Sequence, residues 1–148
     1  MTQLLSILLL AAALAAPSAA QAHSHKTKGL EIIHPWTRAM LDKAQTTLLV
    51  SMTIKNSGAG DRLLGASTPL AATAEIRAPG NDKALPSLAI GAGKRVELKR
   101  KGPHLLLGGF KRQLDAYESF AMTLVFEKAG SVVIEVVVEE AETEPRAH

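Results

Sequence analysis

The chain has 148 residues, a formal net charge of +3 and no cysteine. The lack of cysteine excludes disulfides, thiolate catalysis and zinc sites built on cysteine ligands. Aromatic residues make up only 3% of the chain, too few for the stacking surface that single-stranded nucleic acid prefers, so we expect no nucleic-acid partner.

The first 22 residues carry no charged side chain and predict an export signal. Residues 4–16 are an apolar run that is too short to span a bilayer comfortably. Ala20-Gln21-Ala22 has the small-x-small pattern that signal peptidase accepts. We therefore expect a signal peptide over 1–22, a periplasmic mature protein that starts at His23, and no membrane insertion after signal removal.

The mature chain has a strand-like pattern, because apolar residues alternate with period two where β-branched residues are frequent. Strands are predicted at residues 30–36, 46–55, 62–66, 73–77, 94–99, 104–107, 120–126 and 132–138. The last two form a hairpin across Lys128-Ala129-Gly130. Short strands with turn residues at this spacing predict an all-β sandwich or barrel in one domain.

The regions flanking this domain are polar. Residues 23–29 are a histidine-bearing amino-terminal arm, the domain covers 30–139, and residues 140–148 are a polar tail.

No serine lies in a G-x-S-x-G context, so we expect no enzyme. Between the flanks, the densest basic stretch alternates with apolar residues, which is typical of the solvated face of a strand. That stretch consists of Lys94, Arg95, Lys99, Arg100 and Lys101.

The amino-terminal histidines define a candidate metal site. If cleavage falls after Ala22, the free amine, the deprotonated amides of Ser24 and His25, and the His25 imidazole supply four nitrogens. A square-planar nitrogen site selects Cu(II) or Ni(II). The alternative is a disordered polar arm in which His23 and His25 occur by chance, and the spacing alone leaves both open.

Four segments resemble a known family. They are GLEIIHPWTRA at 29–39, LLVSMTIKNSGAGDRLLGAST at 48–68, LAIGAGKRVELKRKGPHLLLGGFKRQL at 88–114 and LVFEKAGSVVIEVVV at 124–138. In this order they resemble the periplasmic copper chaperones of the PCu(A)C type. The resemblance implies a cupredoxin-like β-sandwich that carries Cu(I) on surface histidines and methionines. It also implies a copper-receiving envelope protein or oxidase assembly factor as partner, with delivery towards the copper centre of cytochrome c oxidase.

The chain departs from the ligand pattern of that family. The family's His-x-Met pair corresponds to His104-Leu105-Leu106, which keeps the imidazole and lacks the sulfur. The family's other histidine aligns with Arg77, its methionine falls near Pro79, and the following loop contains no methionine. We expect Met52 and Met122 in the core and Met40 exposed in a loop.

Two main functions, and one further interpretation, remain after this comparison with the family's ligand pattern. The first is an exported copper-chaperone-family protein whose usual Cu(I) site is largely lost. Any copper would then be held as Cu(II) through His23 and His25, with His34 or His104 contributing. His104 itself is either one inherited ligand or a strand-end histidine bonded to the backbone.

The second function is a metal-free periplasmic β-sandwich that binds a protein partner. Its contact surface would lie around Arg77 and His104, with an apolar patch that includes Leu105. A binder of anionic ligands through Arg38, Arg77 and Lys101 is a third interpretation.

Overall fold

The computed structural model describes residues 24–80 and 82–141, and within these residues the fold is all β. The strands are β1 (Ser24–Thr27), β2 (Leu30–Arg38), β3 (Thr47–Asn56), β4 (Asp61–Ser67), β5 (Ala71–Arg77), β6 (Ala84–Leu85), β7 (Leu88–Ile90), β8 (Arg95–Leu98), β9 (His104–Phe110), β10 (Ser119–Phe126) and β11 (Gly130–Glu139). The predicted signal peptide, His23 and residues 142–148 lie outside the described residues. In the part described, no helix is long and apolar enough to cross a membrane.

The strands form one bent, nearly closed sheet. Its order is β6-β5-β9-β3-β2-β11-β10-β4-β7, with β1 paired to β2 and β8 paired to β3. Two long strands produce the bend, because β2 pairs first with β1 and then with β11, and β3 pairs first with β9 and then with β8. All pairings are antiparallel except that of β2 with β11. The predicted β-sandwich or barrel is therefore confirmed.

The core lies inside this barrel and follows the alternation predicted from the sequence. Phe120, Met122, Leu124 and Phe126 of β10 all point inwards and are buried. The predicted hairpin of β10 and β11 is confirmed, with Phe126 opposite Gly130. Full burial of each such side chain contributes about 1.5–3 kcal/mol to the free energy of folding. This hairpin therefore forms one wall of the core.

Three short strands, β1, β6 and β7, were absent from the sequence prediction. β1 is the most important, because it occupies most of the segment predicted as an amino-terminal arm and pairs with β2. A two-residue turn joins them, with φ values of 44° at Lys28 and 81° at Gly29. Positive φ at both central residues is the type I′ geometry that matches the twist of paired strands. Thr27 and Leu30 flank this turn.

Candidate metal site

His104 is the one residue that the family resemblance assigns to copper and that this chain retains. It begins β9, and the β5–β9 pairing places it opposite Arg77, the residue aligned with the family's second histidine. The two positions are therefore adjacent, as the resemblance requires. His104 is only 7% exposed, so the surrounding protein determines what its imidazole can bind.

Both ring nitrogens of His104 already have oxygen partners. Nδ1 lies 3.0 Å from the carbonyl oxygen of Gly102, and Nε2 lies 2.9 Å from Oδ1 of Asp82. Both partners are oxygen acceptors that lie within hydrogen-bond distance of the ring. A metal ion that binds either ring nitrogen must therefore displace one of these oxygen partners.

Arg77 completes an ion-pair cluster around this imidazole. Its guanidinium donates to the backbone oxygen of Asp82 at 2.7 Å and to the carboxylate of Glu75. A second oxygen of the Asp82 carboxylate lies 3.9 Å from Nη1. We call Glu75, Arg77, Asp82 and His104 the His104 cluster. It places a fixed positive charge at the position of a family ligand.

The remaining donors do not complete a metal site at this position. Within residues 24–80 and 82–141 there is no group of three histidine, cysteine or carboxylate side chains that could hold a metal. Met52 and Met122 are buried as expected. The expected exposure of Met40 is wrong: it is 6% exposed, because its side chain packs into the core and its amide donates to Leu114 O at 3.2 Å.

His25 lies in a different setting. It is exposed on β1, and its side chain forms no hydrogen bond or ion pair with the residues that the structure describes. It lines a surface cleft of about 570 Å³ together with Phe120, Ile134 and Glu135. This imidazole is therefore free to bind a ligand that reaches the cleft, whereas that of His104 is not.

The pairing of β1 affects the predicted four-nitrogen site. Thr27 and Leu30 flank a two-residue turn, so they form a hydrogen-bonded pair, and the alternation of the ladder makes His25 and Ile32 the next such pair. The His25 amide is therefore hydrogen-bonded within the sheet, and a metal ion that binds its nitrogen must first break this hydrogen bond. β1 has only four residues and lies at an edge, so few contacts oppose this opening.

His34 is the third described histidine, and a β-bulge turns it outwards. The β2–β3 register shifts between Ile33 and Trp36, and His34 has a φ of 48°. Its Nε2 lies 3.2 Å from Oε1 of Glu139, and its ring centroid lies 6.3 Å from that of Trp36. His34 thus has one carboxylate neighbour and one exposed ring edge.

The sequence analysis missed the acidic members of the His104 cluster. Glu75 follows from strand alternation, because it lies two residues before Arg77 on the same face of β5. No comparable sequence pattern predicts the contact of Asp82, because this residue reaches His104 from a loop, where its own φ is 55°. Leu105, which was expected to form part of an apolar surface patch here, is fully buried.

Comparison with known proteins gives a consistent result. Residues 30–138 match the family model described as "Putative lipoprotein LpqE-like". No curated protein sequence matches the chain. The copper-bound PCuAC domain from PmoF2 superposes with a TM-score of 0.73 and 28% identity, over 80% of this chain and 98% of that domain.

Two further structures agree. The apo PCuAC domain from PmoF1 has a TM-score of 0.74 and 26% identity, over 80% of this chain and 99% of that one. Apo-DR1885 from Deinococcus radiodurans has a TM-score of 0.63 and 25% identity, over 99% of this chain and 100% of that one. The similarity therefore covers the whole barrel described above.

Proposed function

This chain belongs to the LpqE-like family and is of the PCuAC copper-chaperone type, and from that premise we propose that it binds copper in the cell envelope and passes it to a partner protein there. The PCuAC domain from PmoF2 is copper-bound, and this chain shares the fold of that domain over 98% of its length. Copper is the cargo in this proposal, and the chain acts as a carrier without catalysing a reaction.

The proposed site is the amino terminus, with Cu(II) held by nitrogen ligands of His23 and His25. One observation carries this choice: both nitrogens of the His104 imidazole are bonded to oxygen, while the His25 imidazole is exposed without a side-chain partner in the described residues. Cu(I) prefers soft sulfur ligands, and the methionines that the structure describes are buried. Nitrogen ligands and Cu(II) fit what remains.

The proposal includes export with cleavage after Ala22, because only that cleavage gives the amine and the imidazole the required spacing. Affinity for Cu(II) should fall as the pH drops, since protons compete for the amine, the amides and the imidazole. Copper binding should also loosen β1, because the His25 amide cannot both pair with Ile32 and bind the metal. Sequencing of the exported protein tests the cleavage directly, and a first residue other than His23 contradicts it.

A Cu(II) competition titration tests the site. The protein that starts at His23 should bind stoichiometrically. His25→Ala should lower the affinity by at least about a hundred-fold, at about 1.4 kcal/mol per tenfold, because the chelate loses the imidazole nitrogen and the ring that it closes with the amide of residue 25. One extra glycine before His23 keeps every histidine and moves the imidazole out of position, so it should have a similar effect. His104→Ala is the matched control and should bind normally.

Two outcomes contradict this proposal. If His104→Ala loses copper and His25→Ala does not, the metal lies at the family position after all. If neither Cu(I) nor Cu(II) competes successfully for the protein, the metal-free alternative with a protein partner replaces it.

A further inference from the structure

A row of charged side chains crosses four neighbouring strands on the outer face of the barrel. The pairings place Lys26 of β1 opposite Glu31 of β2, Glu31 opposite Lys55 of β3, and Lys55 opposite Arg95 of β8. Residues that are directly opposite in a sheet project from the same face. The row therefore presents positive, negative, positive and positive charges in strand order.

Two turns at the same end of the barrel add further cations. Lys28 in the β1–β2 turn and Lys94 in the turn before β8 line the same shallow cleft as this row. Glu31 is the only acidic residue among those that line the cleft. We call this surface the basic face; it consists of Lys26, Lys28, Lys55, Lys94, Arg95 and Glu31.

The charges of the basic face are poorly neutralised by the protein. In the part of the chain that the structure describes, Lys26, Lys55 and Lys94 form no ion pair, and Arg95 Nε lies 3.9 Å from Oε1 of Glu97. By contrast, Lys99 pairs closely with this same Glu97 carboxylate at 2.8 Å. The basic face therefore carries a positive potential that reaches into solvent.

One of the three directly opposed pairs in this row opposes folding, whereas Lys26–Glu31 and Glu31–Lys55 have opposite charges. Lys55 and Arg95 are directly opposite each other and both exposed, and like charges in directly opposed positions of a sheet are destabilising. A ligand with negative charge would remove this repulsion. The placement of Arg95 beside Lys55 is therefore better explained by something that binds the face than by the stability of the barrel.

The width and composition of the face indicate which anion binds. Lys26 and Arg95 are three strand spacings apart, about 14 Å, which is too wide for one phosphate group to contact both. The residues that line the cleft include no aromatic side chain, whereas the cores of protein interfaces are enriched in aromatic residues and depleted in lysine. Attraction to a membrane requires only several Lys or Arg residues near an anionic surface.

We propose that the basic face binds the anionic headgroups of a phospholipid bilayer and holds the protein against the membrane surface without insertion. Several headgroups then share the cations of one flat face. This proposal does not rest on the proposed copper function, because none of its residues is a ligand there or a member of the His104 cluster. The two surfaces do share β1, which carries both His25 and Lys26.

Co-sedimentation of the exported protein with vesicles tests this proposal. Binding should rise with the fraction of phosphatidylglycerol in phosphatidylcholine and weaken with added salt, because salt screens exposed charges. Lys55→Gln/Arg95→Gln should lower the partition constant by about thirty-fold, at about five-fold for each removed charge. The same variant should have a nearly unchanged melting temperature, because it removes the Lys55–Arg95 repulsion together with the attractions of Lys55 to Glu31 and of Arg95 to Glu97.

Lys43→Gln/Lys111→Gln is the matched control, since it removes two exposed cations near the opposite end of β3. This control should keep most of the binding. The proposal is overturned if the protein fails to bind the anionic vesicles at low salt, or if the two double variants lose binding equally. It is also overturned if pyrophosphate alone binds the face with the same dependence on Lys55 and Arg95, which would make it a site for small anions.

Discussion

The His104 cluster and strand β1 each place an imidazole on the barrel surface or just beneath it. Only one of these imidazoles, that of His25 on β1, is available to bind a ligand. His104 is bonded through both nitrogens to Gly102 and Asp82. His25 is exposed and lies beside a cleft. The comparison teaches that the neighbours of an imidazole, as well as its presence, decide what it can bind.

The cluster ties Asp82, in the loop before β6, to the end of β5 and the start of β9. Arg77 and His104 both bond to Asp82, and the amide of Ala78 donates to Lys83 O at 2.7 Å across the same loop. These contacts join Ala78 to Lys83 and hold Asp82 against the start of β9. Arg77, which aligns with the family's second histidine, thus takes part in ion pairs at this edge.

The largest expected effect comes from restoring the family ligands. Arg77→His/Asp82→Ala/Leu106→Met supplies the missing imidazole and thioether and frees His104 Nε2. Leu106 is half-buried on the same face of β9 as His104, so the new sulfur would lie close to the ring. We expect Cu(I) binding to change from undetectable to stoichiometric in a competition with a chromophoric chelator, because imidazole and thioether ligands suit Cu(I).

The single variant Arg77→His is the control for that experiment. It leaves Asp82 on the His104 ring and provides no sulfur, so it should bind Cu(I) poorly. If the triple variant binds no better than this control, the backbone of the loop, rather than the identity of the ligands, prevents a copper site here.

The next effect concerns stability. His104→Ala removes a donor from the buried side of the cluster and leaves Gly102 O and Asp82 without their partner, so it should cost about 1–3 kcal/mol in the free energy of unfolding. His25→Ala should stay within about 0.5 kcal/mol, because an exposed side chain without partners contributes little. Urea denaturation of both variants compares them directly. Equal losses would mean that the two histidines have similar structural roles.

Much of this comparison could be predicted from the sequence. The period-two pattern predicts the long strands and the inward face of Phe120 to Phe126, because burial of one face requires this alternation. The loss of the His-x-Met sulfur at Leu106 is also readable directly. Both depend on residues that are close in sequence, and the structure adds only small shifts in their boundaries.

The remainder depends on contacts between distant segments. Asp82 meets His104 across 22 positions in the chain, and no local pattern indicates which loop carboxylate reaches the ring. Met40 follows a strand in a polar loop, yet tertiary packing against the loop at Leu114 buries it. The short β1 likewise needs the edge of β2 to form, because four residues cannot make a stable strand alone.

The smallest effect sharpens the comparison by means of a carboxylate that is held chiefly by backbone amide donors, to which the charge of Lys128 adds. Asp61 accepts the amides of Arg62 at 2.7 Å, Lys128 at 2.9 Å and Ala129 at 3.0 Å, and so ties β4 to the β10–β11 turn. Partial burial raises the pKa of Asp61, but the amides of Lys128, Arg62 and Ala129 together outweigh this and hold it below its usual value.

A carboxyl group whose pKa is lower in the folded state stabilises the protein above its unfolded pKa, and this contribution is lost as the pH falls through the folded pKa. Asp61→Asn should therefore cost about 1 kcal/mol in the free energy of unfolding at neutral pH. The difference from the wild type should shrink as the pH falls through the folded pKa of Asp61, because the carboxyl group is then protonated in both the folded and the unfolded state. Asp115→Asn is the exposed control. Urea midpoints measured across this range should converge for Asp61→Asn. A constant difference would show that Asp61 acts through packing, in which case its carboxylate resembles neither Asp82 in the ion-pair cluster nor a charged turn cap.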